Sequence, residues 1–381
     1  MKCYFDYAAT TPVDKQVVKA MMPYFFDCFG NPSSVHQLGR KSLAALDQSR
    51  VRVANFLNCQ PLEVIFTSGA TESNNLAIQG LVKKGDHIIS SKIEHHSVLS
   101  VCQQLEKRGV EVSYVDVSQD GLVDLKSIEQ SIKDNTVLVS IMYVNNETGV
   151  IQPIKEIGQL IKNINNQRKK SGLKSIYFHT DAVQAAYYCS LDVEESGVDL
   201  LSFSGHKIYG PKGVGVLYKK SGVDLSPIFF GGHQEFDFRP GTQNLAGVVG
   251  LAKAVDLILE KKHAQAIAGI KKISEQLLAG LKKSGINFSL NGSQKNKVSG
   301  ITNISFSSRD SQQLLIKLDL ADIALSVGSA CSSGSLEKSH VLQAMNLSDE
   351  IIGSSLRLSL GYYTTPKEIV YFIKTIKSIL A

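Results

Sequence analysis

Three features of the sequence can do chemistry together. Lys207 follows the apolar run VDLLSFS and lies between Gly205 and Gly210, where partial desolvation would make its amine a usable nucleophile. Asp181 follows the run SIYFHT and is either a structural hydrogen-bond acceptor or a counter-charge for a protonated ligand nitrogen. Residues 68–72, Ser-Gly-Ala-Thr-Glu, can admit an anion to backbone N–H groups, although the same letters form a capping box at any helix start. A lysine that can bind an aldehyde, an acid for a pyridinium nitrogen and a phosphate cradle jointly predict a site for pyridoxal 5'-phosphate (PLP).

Further polar residues follow other apolar runs. His95 and His96 come after HIISSKIE, Asn146 comes after TVLVSIMYV, and Gln184 stands three residues beyond Asp181. A histidine in isolation is more often structural than catalytic, but ligands of open α/β sheets bind at the carboxyl ends of strands. These positions therefore favour roles in the same site, whereas Lys212, beside Pro211, is interpreted as a surface lysine.

The elements that must position these residues alternate between short β-branched runs and longer amphipathic segments. Such alternation over roughly residues 15–255 predicts an α/β domain with a mainly parallel sheet. The expected strands are EVIFTS, HIISS, EVSYVDV, TVLVSIMYV, SIYFHT, VDLLSFS and GVGVLY. From Gly250 to about Lys283 the pattern is almost continuously helical, and Thr365, Pro366 and Glu368 signal the start of a last helix.

Two domains are expected. The large α/β domain spans 15–255, and residues 1–14 and 256–381 form a smaller α+β domain. The smaller domain carries the segment 326–336, in which Cys331 stands among serines and glycines. A chain of 381 residues is long enough for both cores.

Composition excludes several classes of protein. The net charge of +6 is spread over small groups rather than a basic stripe with aromatics, so no nucleic-acid partner is expected. No run approaches the ~18 apolar residues of a membrane span, and no leader pattern follows Met1, which favours the cytoplasm. The six cysteines are scattered without paired spacing, so we expect free thiols and no metal site.

The motifs resemble those of the cysteine desulfurases, a branch of the class V aminotransferases, over essentially the whole chain. The matching stretches are YFDYAATTP, FGNPSSVH, FTSGATESNN, EHHSV, VNNETG, HTDAVQ, SFSGHKIYGPKG, RPGTQN, GSACSSGSLE and SSLRLSLG. The resemblance implies the α/β fold of fold-type I PLP-dependent transferases, with a mostly parallel seven-stranded sheet, and a homodimer of the iron–sulfur-cluster-assembly type.

The resemblance also assigns residues to the cofactor. Lys207 would bind PLP covalently and move the Cα proton, Asp181 would pair the pyridine nitrogen, and His95 would stack on the ring. Gln184 and Asn146 would meet the phenolic oxygen. The phosphate would be held by Gly69, Ala70, Thr71, Ser204 and His206, and by Thr242 of the second subunit.

For the substrate, the resemblance implies L-cysteine, with its carboxylate bound by Arg357 and with Asn146 nearby. Cys331 would attack the substrate sulfur, L-alanine would leave, and the persulfide would pass to an acceptor protein such as an iron–sulfur scaffold or another sulfur carrier. His95 would handle the substrate thiol proton. A thiolate nucleophile needs partial exposure, and serine and glycine neighbours provide an uncluttered loop.

Two departures from the resemblance affect delivery rather than chemistry. His233 stands where relatives commonly have a glycine, so we expect a different backbone path there. The C-terminal segment is shorter than in related enzymes that dock a cluster scaffold, so the sequence leaves delivery of sulfur to that scaffold open. Selenocysteine lyase or another class V enzyme is the alternative function. A non-catalytic scaffold is disfavoured because Lys207, Asp181 and Cys331 are all present.

Overall fold

The computed structural model describes residues 1–307, 309–328 and 338–380. The strands are β1 (Cys3–Tyr4), β2 (Val64–Thr67), β3 (His87–Ser91), β4 (Glu111–Val115), β5 (Thr136–Ser140), β6 (Tyr177–Asp181), β7 (Leu200–Ser204), β8 (Gly215–Lys219), β9 (Ser289–Asn291), β10 (Ile301–Ser305), β11 (Ile323–Ala324) and β12 (Ser355–Ser359). The helices are α1 (Lys15–Met21), α2 (Pro23–Phe26), α3 (Gln37–Leu57), α4 (Ala70–Gln79), α5 (His96–Glu106), α6 (Leu125–Gln130), α7 (Ile154–Lys170), α8 (Val193–Ser196), α9 (Leu245–Leu259), α10 (Lys261–Lys283), α11 (Ser311–Asp319), α12 (His340–Ala344), α13 (Asp349–Gly353) and α14 (Pro366–Leu380).

A seven-stranded sheet forms the centre of the molecule, in the order β2-β8-β7-β6-β5-β3-β4. Neighbouring strands from β7 to β4 pair in parallel, and β8 is antiparallel to both of its neighbours. Each of the seven strands falls on an apolar run that predicts it, so the expected α/β architecture with a mostly parallel sheet is confirmed.

Helices cover both faces of this sheet, which explains why its inner strands are apolar on both sides. On one face Ile65, Ile88 and Leu138 pack with residues of α4 and α5. On the other face their neighbours Phe66, Ile89 and Val139 pack into a larger core that extends to the C-terminal helix. The sheet is therefore a rigid platform, and its strand ends are fixed in space.

The C-terminal part of the chain builds a second sheet, antiparallel, in the order β12-β10-β9. The N-terminal segment joins this part, because β1 pairs with β11 and Asp6 bridges to Ser359. These pairings bring the first residues of the chain next to β12. The domain limits at 15 and 255 stay a prediction.

The helical signals of the C-terminal part are largely confirmed. The side chain of Glu368 accepts from the Thr365 N–H at 2.7 Å, as in the expected capping box at α14. The stretch expected to be nearly continuous from Gly250 is two helices, α9 and α10, because Glu260 between them is extended (φ −69°, ψ 145°). Within the described residues no helix is both long and apolar enough to cross a membrane.

The segment around His233 has an unusual backbone, although not at His233 itself. Glu235, Phe236 and Asp237 have φ values of 46°, 58° and 69°, a left-handed conformation that costs energy in residues with a side chain. Glu235 is buried and holds this turn through two bonds to the guanidinium of Arg50, each 2.8 Å long. A bidentate ion pair of this kind can offset the strain.

Candidate active site

One cavity of about 480 Å³ lies at the carboxyl ends of β2, β3, β5, β6 and β7, which all run in the same direction. Most of the residues that the sequence nominates for the site line it. These are Gly69, Ala70, Thr71, His95, Asn146, Asp181, Gln184, Ser204, His206, Lys207 and Arg357. The convergence follows from the sheet, because parallel strands end at the same edge.

Lys207 lies at the end of a 3₁₀ turn (Gly205–Lys207) that follows β7. Its Nζ donates to the carbonyl oxygens of Ala8 and, at 2.8 Å, of Ala9, so the N-terminal segment holds the amine at the cavity wall. Gly205 and Gly210 pack backbone to backbone, since a Cβ on Gly210 would lie 2.8 Å from the Gly205 oxygen. The two glycines therefore serve the turn that presents the lysine.

Asp181 is the last residue of β6 and is 5% exposed. Its Oδ2 accepts a hydrogen bond from Asn74 Nδ2 at 2.8 Å, and its Oδ1 accepts from the Val183 N–H at 3.0 Å. Donors on both oxygens hold this buried carboxyl group in one orientation. Such a carboxylate can pair with a protonated ring nitrogen of a ligand.

His95 ends the loop after β3 and caps α5. Its Nδ1 lies 2.8 Å from Ser97 Oγ and accepts from the Ser97 N–H at 3.1 Å. Burial is the main cause that lowers the pKa of this imidazole, with Asp181 opposing and Lys207, His96 and His340 adding to the shift. The ring is therefore neutral near pH 7.

The phosphate cradle lies where α4 begins, at Ala70. No side chain caps this helix end, and Gly215 on β8 lets the Gly69 backbone pack closely, because a Cβ there would lie 2.6 Å from it. Glu72 accepts from the Ser68 N–H at 2.8 Å, so a capping interaction is present as well. The helix-cap interpretation of this motif is therefore supported by one contact, and the phosphate cradle stays a prediction.

Two further side chains that line the cavity, Ser204 and His206, could bind an anion. Ser204 Oγ is buried at the cavity and has no hydrogen-bond partner within the described ranges. His206 Nδ1 lies 3.1 Å from Thr10 Oγ1, and burial, followed by the charges of Lys207 and Lys212, lowers the pKa of His206 to about 4. A buried hydroxyl that lacks a partner is what a phosphate oxygen would satisfy.

Arg357, on β12, is 1% exposed and lies at the other end of the cavity. Its Nη2 donates to Asp6 Oδ1 at 2.7 Å and its Nη1 donates to the Asn146 carbonyl at 3.0 Å. The Nε–H has no partner in the part of the chain that the structure describes. An arginine edge with an unused donor can bind a carboxylate in a bidentate manner.

Other predicted residues lie apart from this cavity or outside the structure. Thr242 is exposed and does not line the cavity. Cys331 lies outside the described residues, so its assignment stays a prediction. Lys212, interpreted from sequence as a surface lysine, is exposed but forms part of the cavity wall.

Several functional contacts come from residues that sequence reasoning missed. Ala8 also accepts from Gln184 Nε2 at 2.9 Å, and Asp6 pairs with Arg357 across 351 positions of the chain. Asn74 and Ser97 connect Asp181 with His95. The motif YFDYAATTP was the available signal for the N-terminal contacts. Asn74 and Ser97 stand in the motifs FTSGATESNN and EHHSV, but no role was assigned to them.

Comparisons with known proteins agree with this geometry. The family model described as Aminotransferase class-V matches residues 3–372. A cysteine desulfurase IscS of Dictyoglomus turgidum is 42% identical, with 99% of this chain and 94% of that protein covered. A solved NifS-like protein has a TM-score of 0.91 at 34% identity and covers 100% of this chain and 99% of its own. A solved structure of SspA in complex with cysteine has a TM-score of 0.81 at 37% identity, and the match covers 96% of this chain and 100% of that chain.

Proposed function

Because the chain belongs to the aminotransferase class-V family, we propose that it is a PLP-dependent cysteine desulfurase that converts L-cysteine to L-alanine and takes the sulfur onto Cys331. One observation carries the proposal. Lys207, Asp181 and Arg357 line a single cavity, so an amine, a carboxylate and a guanidinium face one bound molecule. When bound, PLP supplies an aldehyde for the amino group and a ring that draws electrons from the amino acid.

The residues at the strand ends fit this cofactor. Asp181, held by Asn74, would accept a hydrogen bond from the pyridine nitrogen, and His95 would lie against the ring with Gln184 and Asn146 at the phenolic oxygen. The partnerless hydroxyl of Ser204 supports a phosphate at the start of α4. Gly69, Ala70, Thr71 and His206 would complete that phosphate site.

Lys207 has two tasks in the proposed reaction. Its amine would hold PLP, and the same Nζ would take up the Cα proton of the substrate. The carbonyl oxygens of Ala8 and Ala9 keep Nζ close to its working position between these tasks. The N-terminal segment therefore acts as a support for the base.

Arg357 would select an amino acid through its carboxylate. Two of its nitrogens are already engaged by Asp6 and the Asn146 carbonyl, which fixes the plane of the guanidinium. The remaining Nε–H and a second Nη2 hydrogen lie on one edge, and that edge matches the two oxygens of a carboxylate.

The fate of the sulfur rests on the family likeness. The relative solved with cysteine supports L-cysteine as the substrate. We propose that the persulfide of Cys331 passes to an acceptor protein, an iron–sulfur scaffold or another sulfur carrier, in the cytoplasm. The described cysteines, Cys3, Cys28, Cys59, Cys102 and Cys189, are free thiols, as expected for a reducing compartment.

A homodimer is the proposed state of the enzyme. Thr242 is exposed and away from its own cavity, which is consistent with a phosphate contact in a second subunit. The exposed rings of Phe25 and Phe26 on α2 supply apolar surface for an interface.

The test is a product assay on the PLP-loaded protein. Incubated with L-cysteine and a reductant, the wild type should release alanine and sulfide in equal amounts. Cys331→Ser should keep the cofactor absorbance and bind cysteine but release almost no sulfide. Cys189→Ser, at a half-buried cysteine, is the matched control and should behave as the wild type. Undiminished sulfide from Cys331→Ser would refute the role of that cysteine.

A further inference from the structure

The position of hydrogen on His95 is fixed by the backbone. The ring caps α5, and the Ser97 N–H points at its Nδ1 over 3.1 Å. A backbone amide can only donate, so Nδ1 must offer a lone pair. A neutral imidazole that accepts at Nδ1 carries its hydrogen on Nε2.

A buried chain of hydrogen bonds is consistent with the same tautomer. Asn74 Nδ2 lies 2.8 Å from Asp181 Oδ2 and 2.8 Å from Ser97 Oγ. Because an ionised carboxylate can only accept, Asn74 must turn its NH₂ group to Asp181, and its second hydrogen then goes to Ser97. Ser97 Oγ accepts that bond, which leaves its own hydrogen for His95 Nδ1 at 2.8 Å.

From this geometry we infer that His95 is locked as the Nε2–H tautomer and acts on the bound cysteine as a hydrogen-bond donor, not as the base that takes the thiol proton. Asn74 and Ser97 are positioning residues, which set the tautomer through their bonds to Asp181 and His95. The inference rests on the proposed function, and it replaces the expectation that His95 handles the thiol proton.

The environment keeps this arrangement in place. Asn74 is 0% exposed, and Ser97 is 9% exposed, so water does not compete for their bonds. Burial also lowers the pKa of His95, which keeps the ring neutral. Since the ring lines the cavity, Nε2 is the nitrogen that can act on a ligand there, and it presents an N–H.

The first test separates donor from base by substitution. Glutamine places its amide nitrogen near the position of Nε2 and can donate a hydrogen bond, but it cannot take up a proton at neutral pH. His95→Gln should therefore keep kcat for L-cysteine within about tenfold of the wild type, whereas His95→Ala should lose about 100-fold or more. If kcat falls as far in His95→Gln as in His95→Ala while both variants retain the PLP absorbance, the donor role is wrong.

The second test does not depend on activity. Nitrogen-15 spectra of histidine-labelled protein, with and without PLP, distinguish a protonated Nε2 from a protonated Nδ1, and the His95 signals are those missing from His95→Gln. The inference predicts protonation at Nε2 in both forms, and protonation at Nδ1 would overturn it. A wild type that shows Nε2–H but releases no alanine would instead refute the proposed function.

The positioning role of Ser97 has its own variant pair. Ser97→Ala removes the hydroxyl but keeps the backbone N–H, so kcat should fall several-fold with KM for cysteine unchanged. Ser100→Ala, on the exposed side of the same helix, should change neither. An equal effect of both substitutions, or none from either, would contradict the relay through Ser97.

Discussion

The guanidinium of Arg357 is buried beside the cavity, yet its Nε–H has no hydrogen-bond partner among the described residues. An unsatisfied buried N–H costs about 1–3 kcal/mol, so a ligand that satisfies it gains affinity. The contacts to Asp6 and the Asn146 carbonyl fix the orientation of the planar guanidinium group. If Arg357 binds the substrate carboxylate as proposed, the orientation of its donors should matter as much as its charge.

Replacing Arg357 with lysine tests this recognition. Lysine keeps the charge but offers a point donor in place of a planar edge. We expect KM for L-cysteine to rise about 10- to 100-fold in Arg357→Lys, with the PLP absorbance preserved. Arg52→Lys, in a partly exposed ion pair with Asp256, is the control and should leave KM unchanged. An unchanged KM in Arg357→Lys would contradict the assignment.

Individual residues differ in how far the sequence predicts them. Lys207 and Asp181 could be found because each follows an apolar run and the chemistry of each is distinctive. The role of Asn74 and Ser97 could not, because they are common polar residues on helices, and their role depends on the packing of α4 against α5 and β6. Asp6 was equally hidden, since only the fold brings it to Arg357.

At the scale of elements, the turn after β5 connects the cavity with the segment that contains Cys331. Its Asn146 lines the cavity, and the neighbouring Glu147 carboxylate accepts from Ser339 Oγ at 2.5 Å. Gly328 lies against the same carboxylate, because a Cβ there would be 3.2 Å from Glu147 Oε2. Gly328 directly precedes residues 329–337 and Ser339 follows them by two positions, so Glu147 contacts the described chain on both sides of that range.

We therefore expect Glu147→Ala to slow sulfur transfer without weakening substrate capture. Loss of this anchor should lower kcat about 3- to 10-fold at unchanged KM, and Ser339→Ala should do the same because it removes the same bond. In the double variant kcat should be little lower than in either single variant. Glu156→Ala, exposed on α7, is the control. Additive effects of the two substitutions would contradict a shared anchor.

The central strand β6 predicts a pH dependence of stability. His179 is 0% exposed between Ser140 and Ser202, and burial lowers its pKa to about 3. The unfolded state, with an ordinary pKa of about 6.5, then binds the proton more tightly than the folded state. The stabilising contribution is complete above pH 6.5 and is lost as the pH falls from 6.5 towards 3.

A neutral replacement should remove this dependence. Between pH 6.5 and 5 the wild type should lose about 2 kcal/mol more free energy of unfolding than His179→Asn, as measured by urea denaturation. His233→Gln, at a side chain that is 94% exposed, should follow the wild type. Parallel curves for wild type and His179→Asn would show that His179 does not titrate in this way.

The sheet was the part of the architecture most readily predicted. Its strands are short runs rich in buried apolar residues, and the helices carry amphipathic stripes, so local pattern and tertiary packing agree. The break at Glu260 and the left-handed turn at Glu235–Asp237 were not predicted. The turn depends on a contact with Arg50, which is distant in sequence, so no local pattern indicates it.

At the scale of the whole molecule, the exposed apolar surface of α2 predicts association. Phe26 is 69% exposed, and Phe25 and Met22 beside it are also exposed. A charge at this position should oppose burial in an interface, so Phe26→Glu should shift the protein from dimer to monomer in light scattering. Val370→Glu, at an equally exposed residue of α14, is the control. A dimeric Phe26→Glu, or a monomeric wild type, would contradict this interface.

The proposed function as a whole depends on the covalent attachment of PLP to one amine. Reduction of the PLP-loaded protein with borohydride, followed by peptide mapping, locates that attachment directly. The account predicts a single pyridoxyl group on Nζ of Lys207 and none in Lys207→Ala. Attachment to another lysine, Lys212 included, or no adduct in cofactor-saturated protein, would contradict it.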